Sequence, residues 1–214
     1  MRRMSASTIR ISVFVIIGLA LLAAAGLWWR QGAPAVFETA NTPVRQSGAA
    51  AIGGPFSLTD HRGNKVTEAA LTDHLTLVYF GYASCPDVCP TELQDIGAAL
   101  DLLAASNPAK IEDVQALFIT VDPARDTVTA LADYMTNFHP KISGLTGSAE
   151  EVAAAAKAYR VYFSKFDEAE ESDSYLMDHS NIIYLMGRDG EFVAHFGYGA
   201  SAEQIAAKLR EFQR

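Results

Sequence analysis

"LTLVYFGYASCPDVCPTEL", residues 75–93, carries the reading of this chain. Leu75 to Tyr82 is a continuous run of apolar, β-branched and aromatic residues, which suits a buried central strand. Both cysteines of the protein follow, Cys85 and Cys89, with three residues between them. Pro86 biases Cys85 towards an extended conformation. Pro90 is tolerated in the first turn of a helix and not deeper. A helix is therefore predicted to begin near Pro90, with Cys89 at or next to its N-cap. Leu93, Ile96, Leu100 and Leu103 recur along it at helical spacing. The stretch reads as strand, tight cysteine loop, helix. A thiol at a helix N-terminus faces free N–H groups and the positive end of the macrodipole, and both favour the thiolate.

The same alternation continues outward. "PFSLTDHRGNKVTE" gives two short runs around Arg62-Gly63-Asn64, a hairpin. "VQALFITVD" (114–122) is a second buried strand. Val128, Leu131, Met135 and Phe138 form one helical stripe. A short strand is expected around Ile142–Leu145. Val152, Ala155, Ala156, Tyr159 and Phe163 form a further helical stripe. "NIIYLMGRDGEFVAHFG" (181–197) is a hairpin turning at Arg188-Asp189-Gly190. Ile205, Leu209 and Phe212 mark a last helix. The order hairpin, β, α, β, α, β, α, hairpin, α predicts an α/β sheet with parallel central strands, of thioredoxin-like architecture. In open sheets of this kind, functional groups gather beyond the carboxyl ends of the strands.

Ahead of this domain, Ile11 to Trp29 is 19 residues without a charge, enough to cross the roughly 30 Å hydrocarbon core as a helix. Arg2, Arg3 and Arg10 precede it, which places residues 1–10 in the cytoplasm. Trp28 and Trp29 suit the far interface. Ala23-Ala24-Ala25 resembles a signal-peptide cleavage site. The apolar run continues beyond it, so 11–29 reads as a retained single-pass transmembrane anchor. Residues 30–52 are small, polar and Pro-containing, a linker. The folded domain is expected over 53–214, outside the cytoplasm, with a bacterial inner membrane and the periplasm as the simplest setting. The chain carries a net charge of −8, and beyond residue 30 it holds 13 basic against 25 acidic residues. That acidity argues against a nucleic-acid partner.

Two sulfurs at this spacing admit three readings. A structural disulfide closing so small a loop contributes little. A redox couple is open, although thioredoxin-like oxidoreductases use Cys-x-x-Cys. Metal binding is open too, since two thiolates suit Cu(I), but it requires a third ligand. His61, His74, His139 and His195 have no local partner set and read as packing or surface residues. His179, in "YLMDHSNIIYLM", lies between an acidic stretch (Asp167–Asp173) and an apolar strand. In a thioredoxin-like sheet the residue entering that strand lies beside the cysteine loop. A peroxidase of the peroxiredoxin kind is a further reading, with Thr91 and Arg125 as candidate activators, but "CPDVCP" does not look like such a site.

With Cys85, Cys89 and His179 identified, the chain resembles the Sco/SenC family of membrane-anchored, thioredoxin-like copper-binding proteins. "CPDVCP" is similar to that family's cysteine motif, "VDPARDT" (121–127) to its second block and "DHS" (178–180) to its histidine block. The three occur in the family's order, over about residues 53–214. The resemblance implies Cys85 and Cys89 as copper thiolates and His179 as the imidazole ligand, binding Cu(I) and Cu(II). It implies a part in maturing the binuclear copper centre of cytochrome c oxidase, with the copper-bearing subunit II as partner. The means would be copper delivery or reduction of the acceptor cysteines. Periplasmic copper chaperones or thiol reductants are further implied partners. The chain then reads as a metallochaperone rather than an enzyme, with a thiol–disulfide oxidoreductase as the alternative. Asp178 is a candidate further copper ligand or orienting group for His179. Asp126 or Thr127 is placed to cap the following helix. Family members usually have Thr then His before the first cysteine, where this chain has Ala83-Ser84, and Met177 stands where an aliphatic residue is usual.

Overall fold

The computed structural model describes residues 52–166 and 175–213. The expected N-terminus (1–10), the transmembrane segment (11–29) and nearly all of the linker (30–52) lie outside the described residues, as does the acidic stretch 167–173. Among the described residues, no helix is long and apolar enough to cross a membrane.

The described residues open with the expected hairpin, β1 (Ser57–Asp60) and β2 (Lys65–Thr67), paired antiparallel. Its turn works because Gly63 takes φ +88°, a conformation that costs glycine no Cβ clash. The Asp60 carboxylate accepts the N–H groups of Arg62 and Asn64 at 2.9 and 2.8 Å. Then come β3 (Leu75–Gly81), α1 (Val88–Ser106), β4 (Val114–Thr120), α2 (Val128–Met135), β5 (Ile142–Thr146) and α3 (Ala149–Ala158). An antiparallel pair, β6 (Phe163–Phe166) and β7 (Leu176–His179), stands apart as a two-stranded ribbon. The chain closes with β8 (Ile182–Met186), β9 (Phe192–Gly197) and α4 (Ala202–Phe212).

Seven strands form one mixed sheet in the order β2-β1-β5-β4-β3-β8-β9. β3, β4 and β5 run parallel, as expected, and β8 returns antiparallel to β3. The result is a mixed α/β, thioredoxin-like fold. All seven residues of β3 are buried, which requires cover on both faces and explains its unbroken apolar sequence. Alternation sends Tyr79 and Phe80 to opposite faces. Phe80 packs against Tyr159 at 5.4 Å between ring centroids, while Tyr79 meets His179 edge-on at 6.4 Å. Fully burying each of the larger apolar side chains contributes roughly 1.5–3 kcal/mol.

Three boundaries differ from the sequence reading. α1 begins at Val88, not near Pro90. Pro90 is still in the first turn, whose N–H groups have no intrahelical acceptor, so its missing donor costs nothing there. The third helical stripe ends early. Arg160 takes φ +56°, and the Val161 N–H turns back to the Ala156 carbonyl at 2.8 Å. This left-handed closure stops the helix, and Phe163 begins β6 instead. β4 stops at Thr120, two residues short of Asp122.

Candidate metal centre

Cys85 lies in the loop after β3, half-buried, and Cys89 occupies the second position of α1, fully buried. Asp87 is the N-cap residue but makes no side-chain capping bond. The Cys85 sulfur takes that role, accepting the Cys89 N–H at 3.4 Å. The helix terminus therefore holds the first cysteine and buries the second. Neither cysteine is in a disulfide.

His179 ends β7, and the ribbon carries it to the same place. Its Nε2 is 3.5 Å from Cys89 Sγ. Its Nδ1–H donates to the Ser180 carbonyl at 3.2 Å, which leaves the Nε2 lone pair facing the sulfurs. The rings of Tyr79 and Tyr82 stand edge-on to the imidazole.

The two thiols are unlike. A hydrogen bond from the Cys89 thiol, then His179 and the N–H groups of Cys89 and Asp87, hold Cys85 down at about 3. The same bond between the sulfurs, with burial, pushes Cys89 up. Cys85 is thus a thiolate at neutral pH and Cys89 a buried thiol that donates to it. Above them a cleft of about 430 Å³ is lined by Cys85 and His179 together with Tyr82, Met177 and Tyr198. A larger cavity of about 660 Å³ lies elsewhere, lined by residues including Glu68, Asp189 and Glu191. It contains neither thiol nor imidazole, so the smaller cleft is the chemical site.

The donors fit a metal ion. Metal–sulfur and metal–nitrogen bonds of about 2.3 and 2.0 Å at trigonal or tetrahedral angles separate S from N by about 3.5–3.7 Å. Cys89 Sγ and His179 Nε2 stand close to that separation. The ring nitrogen away from the sulfurs is tied to a backbone carbonyl, the usual anchor of a ligating imidazole. No closed cage of three or more His, Cys, Asp or Glu donors stands among the described residues. The site is open on the side of the cleft.

Of the two residues placed to cap α2, Asp126 and Thr127, one does so. Asp126 does not cap α2. Thr127 does, accepting the Ala130 N–H at 3.2 Å. The buried Asp126 carboxylate turns to the cysteine loop, where it accepts the Ala83 N–H at 2.9 Å and the Thr120 hydroxyl. Arg125 pairs with Asp122 and donates to the Tyr175 carbonyl at 2.9 Å, with its guanidinium 3.7 Å above the Tyr175 ring. The Tyr175 hydroxyl donates to Asp122 at 2.8 Å. The "VDPARDT" block thus holds the loop from one side and the start of β7 from the other. Asp178 is exposed on β7, and the imidazole is oriented by Ser180 instead. His61 and His139 accept backbone N–H groups from Gly144 and Lys141 and serve packing.

A family model described as SCO1/SenC matches residues 44–214. The human mitochondrial protein SCO1 homolog is 43% identical over 170 residues, covering 79% of this chain and 56% of that protein. The chain spans about half the length of the curated relatives it matches. Bradyrhizobium japonicum ScoI, solved with copper bound, is 42% identical with a TM-score of 0.68, covering 76% of this chain and 99% of that one. Yeast Sco1, also solved with copper bound, is 43% identical with a TM-score of 0.69, covering 75% of this chain and 87% of that one. The chain belongs to the SCO1/SenC family.

Proposed function

We propose that this chain is a copper-binding assembly protein, with Cys85, Cys89 and His179 as its ligands. The observation that carries this is the convergence of a thiolate, a thiol and an imidazole whose remaining nitrogen is already tied. Two sulfurs and one imidazole suit Cu(I) in a trigonal site, and Cu(II) with an added oxygen or nitrogen donor. Copper is the cargo. The relatives solved with copper support this reading. By the family resemblance, the acceptor is the copper-bearing subunit II of cytochrome c oxidase. Residues 11–29 anchor the domain of 53–214 to a bacterial inner membrane, on the periplasmic side.

The inequality of the two thiols favours a second activity, reduction of an acceptor disulfide. The Cys85 thiolate attacks one sulfur of that disulfide, forming a mixed disulfide and releasing the first acceptor thiolate. Cys89, giving up its proton, attacks the Cys85 sulfur and releases the second acceptor thiolate. Two electrons pass to the acceptor and a Cys85–Cys89 disulfide remains. Such a step needs both cysteines as reactants; His179 forms no bond in it and only helps to hold Cys85 as the thiolate.

The deciding experiment loads the reduced full chain with Cu(II) and records absorption and paramagnetic resonance spectra beside Cys85→Ala, Cys89→Ala and His179→Ala. A sulfur-to-copper band lost in both cysteine variants and altered in His179→Ala is expected. A spectrum unchanged by His179→Ala sinks the three-ligand site. Rapid disulfide formation with no band makes the reductase the leading activity.

A further inference from the structure

We propose that Met177 supplies a fourth, soft donor to the site and selects for Cu(I) over Cu(II); this rests on the ligand set proposed above. β7 has two faces. Leu176 and Asp178 are exposed, while Met177 and His179 are half-buried. Residues two apart in a strand share a face, about 7 Å apart. The inward face of β7 thus presents one imidazole and one thioether, and both line the cleft that Cys85 lines.

Tyr82 ties this face to the cysteine loop. Its carbonyl accepts the Cys85 N–H at 3.2 Å. It lines the same cleft as Met177. Its ring stands perpendicular to His179 at 5.9 Å between centroids. The inward face of β7 therefore lies beside the cysteine loop. The methionine side chain is unbranched with three rotatable bonds, so its sulfur can reach across such a gap. The other methionines among the described residues, Met135 and Met186, are buried in the core. Met177 is the one that reaches the cleft. A thioether is soft and uncharged. It stabilises Cu(I) and adds little to Cu(II), which prefers nitrogen and oxygen donors.

The test uses the full chain and Met177→Leu, a swap close in volume that cores tolerate well. Cu(I) affinity is read by competition with a chromophoric Cu(I) chelator, and Cu(II) affinity by competition with an amino-acid chelator. Met177→Leu is expected to weaken Cu(I) about tenfold and leave Cu(II) within about twofold. The Cu(II)/Cu(I) potential then falls by about 59 mV. X-ray absorption of the Cu(I)-loaded wild-type chain, which needs no variant, is expected to show three sulfurs, falling to two in Met177→Leu. Two sulfurs in the wild type, or Cu(I) affinity unchanged by Met177→Leu, overturns the proposal and leaves the Cys85–Cys89–His179 reading standing. A wild-type chain that holds no Cu(I) overturns both.

Discussion

Cys89 Sγ and His179 Nε2 lie 3.5 Å apart across 90 residues of sequence. A buried thiol at the start of α1 meets an imidazole at the end of β7. Neither element makes the contact alone. α1 is placed by the sheet through β3, whereas β7 belongs to a separate two-stranded ribbon. The geometry of the site is therefore the geometry of ribbon against loop.

The first consequence is in thiol reactivity. Cys85 is held as a thiolate, so its alkylation by iodoacetamide should stay nearly constant from pH 8 down to pH 5. An ordinary thiol, with a pKa of about 8.5, slows about tenfold per pH unit over that range. Because the folded value for Cys85 lies below the unfolded one, its contribution to stability is complete above about pH 8.5 and is lost as pH falls towards about 3. Cys89, shifted up, contributes below about pH 8.5 and loses that contribution above it. Urea unfolding of the reduced chain should therefore show this pair's stability peaking near pH 8.5, with the acid-side slope reduced in Cys85→Ser. Alkylation that falls tenfold per unit from pH 8 would show that the thiolate is not preformed.

Gly81 sits directly beneath the site. A Cβ there would lie 2.9 Å from Cys89 Sγ and 2.8 Å from the Phe118 ring. Gly81→Ala should destabilise the fold by about 1–3 kcal/mol, the usual cost of overpacking a filled core. It should also disturb the Cys89–His179 approach. Chemical denaturation and the copper absorption band measure the two effects separately. An alanine variant as stable as the wild type, with an unshifted band, would mean that the space under Cys89 is loose.

Arg125 holds the ribbon. Its bond to the Tyr175 carbonyl and its stacking on that ring fix the chain four residues before His179. Arg125→Ala removes both and leaves the buried Asp122 carboxylate without its cation, a loss of about 2–4 kcal/mol. Amide exchange in β6 and β7 should accelerate, including the Ser180 N–H bonded to Tyr162. Arg125→Lys should restore little, since an ammonium lacks the planar fork. Unchanged protection of these amides in Arg125→Ala would assign the ribbon's position to other contacts.

These residues also show where sequence reading succeeds and where it stops. β3 and the β8–β9 hairpin were legible because a buried run and an Arg-Asp-Gly turn are local signals. The cysteine loop was legible because two prolines constrain it. The ribbon was not. Phe163 falls at helical spacing after Tyr159, and only the left-handed Arg160 shows that the helix has ended. With β6 and β7 unseen, the shared face of Met177 and His179 was unseen too. Asp126 misled for another reason. Its residue type and place before Thr127 suit a helix cap, but its acceptor role reaches back 43 residues to Ala83. Periodicity cannot register a partner that distant.

Glu92, one turn after Cys89, is 1% exposed. One carboxylate oxygen accepts the Gly199 N–H at 3.1 Å. The other has no hydrogen-bond partner of ordinary geometry, and neither has the nearby Asn181 amide oxygen. Burial raises the carboxyl above its ordinary value, and Asp95 adds to the rise. A folded value above the unfolded one means that its stabilising effect is full below about pH 4.3 and is lost as pH rises through the folded value. At neutral pH an ionised Glu92 is therefore a cost to the fold. Glu92→Gln keeps the shape, keeps an acceptor for Gly199 and offers N–H groups to the Asn181 oxygen. The variant should be more stable by about 1 kcal/mol at pH 7 and indistinguishable from wild type near pH 4. Glu92→Ala, which empties the position, should be less stable at both. Denaturation curves at the two pH values decide it. A glutamine variant weaker than wild type at pH 7 would mean that the charge itself holds the β9–α4 turn against α1.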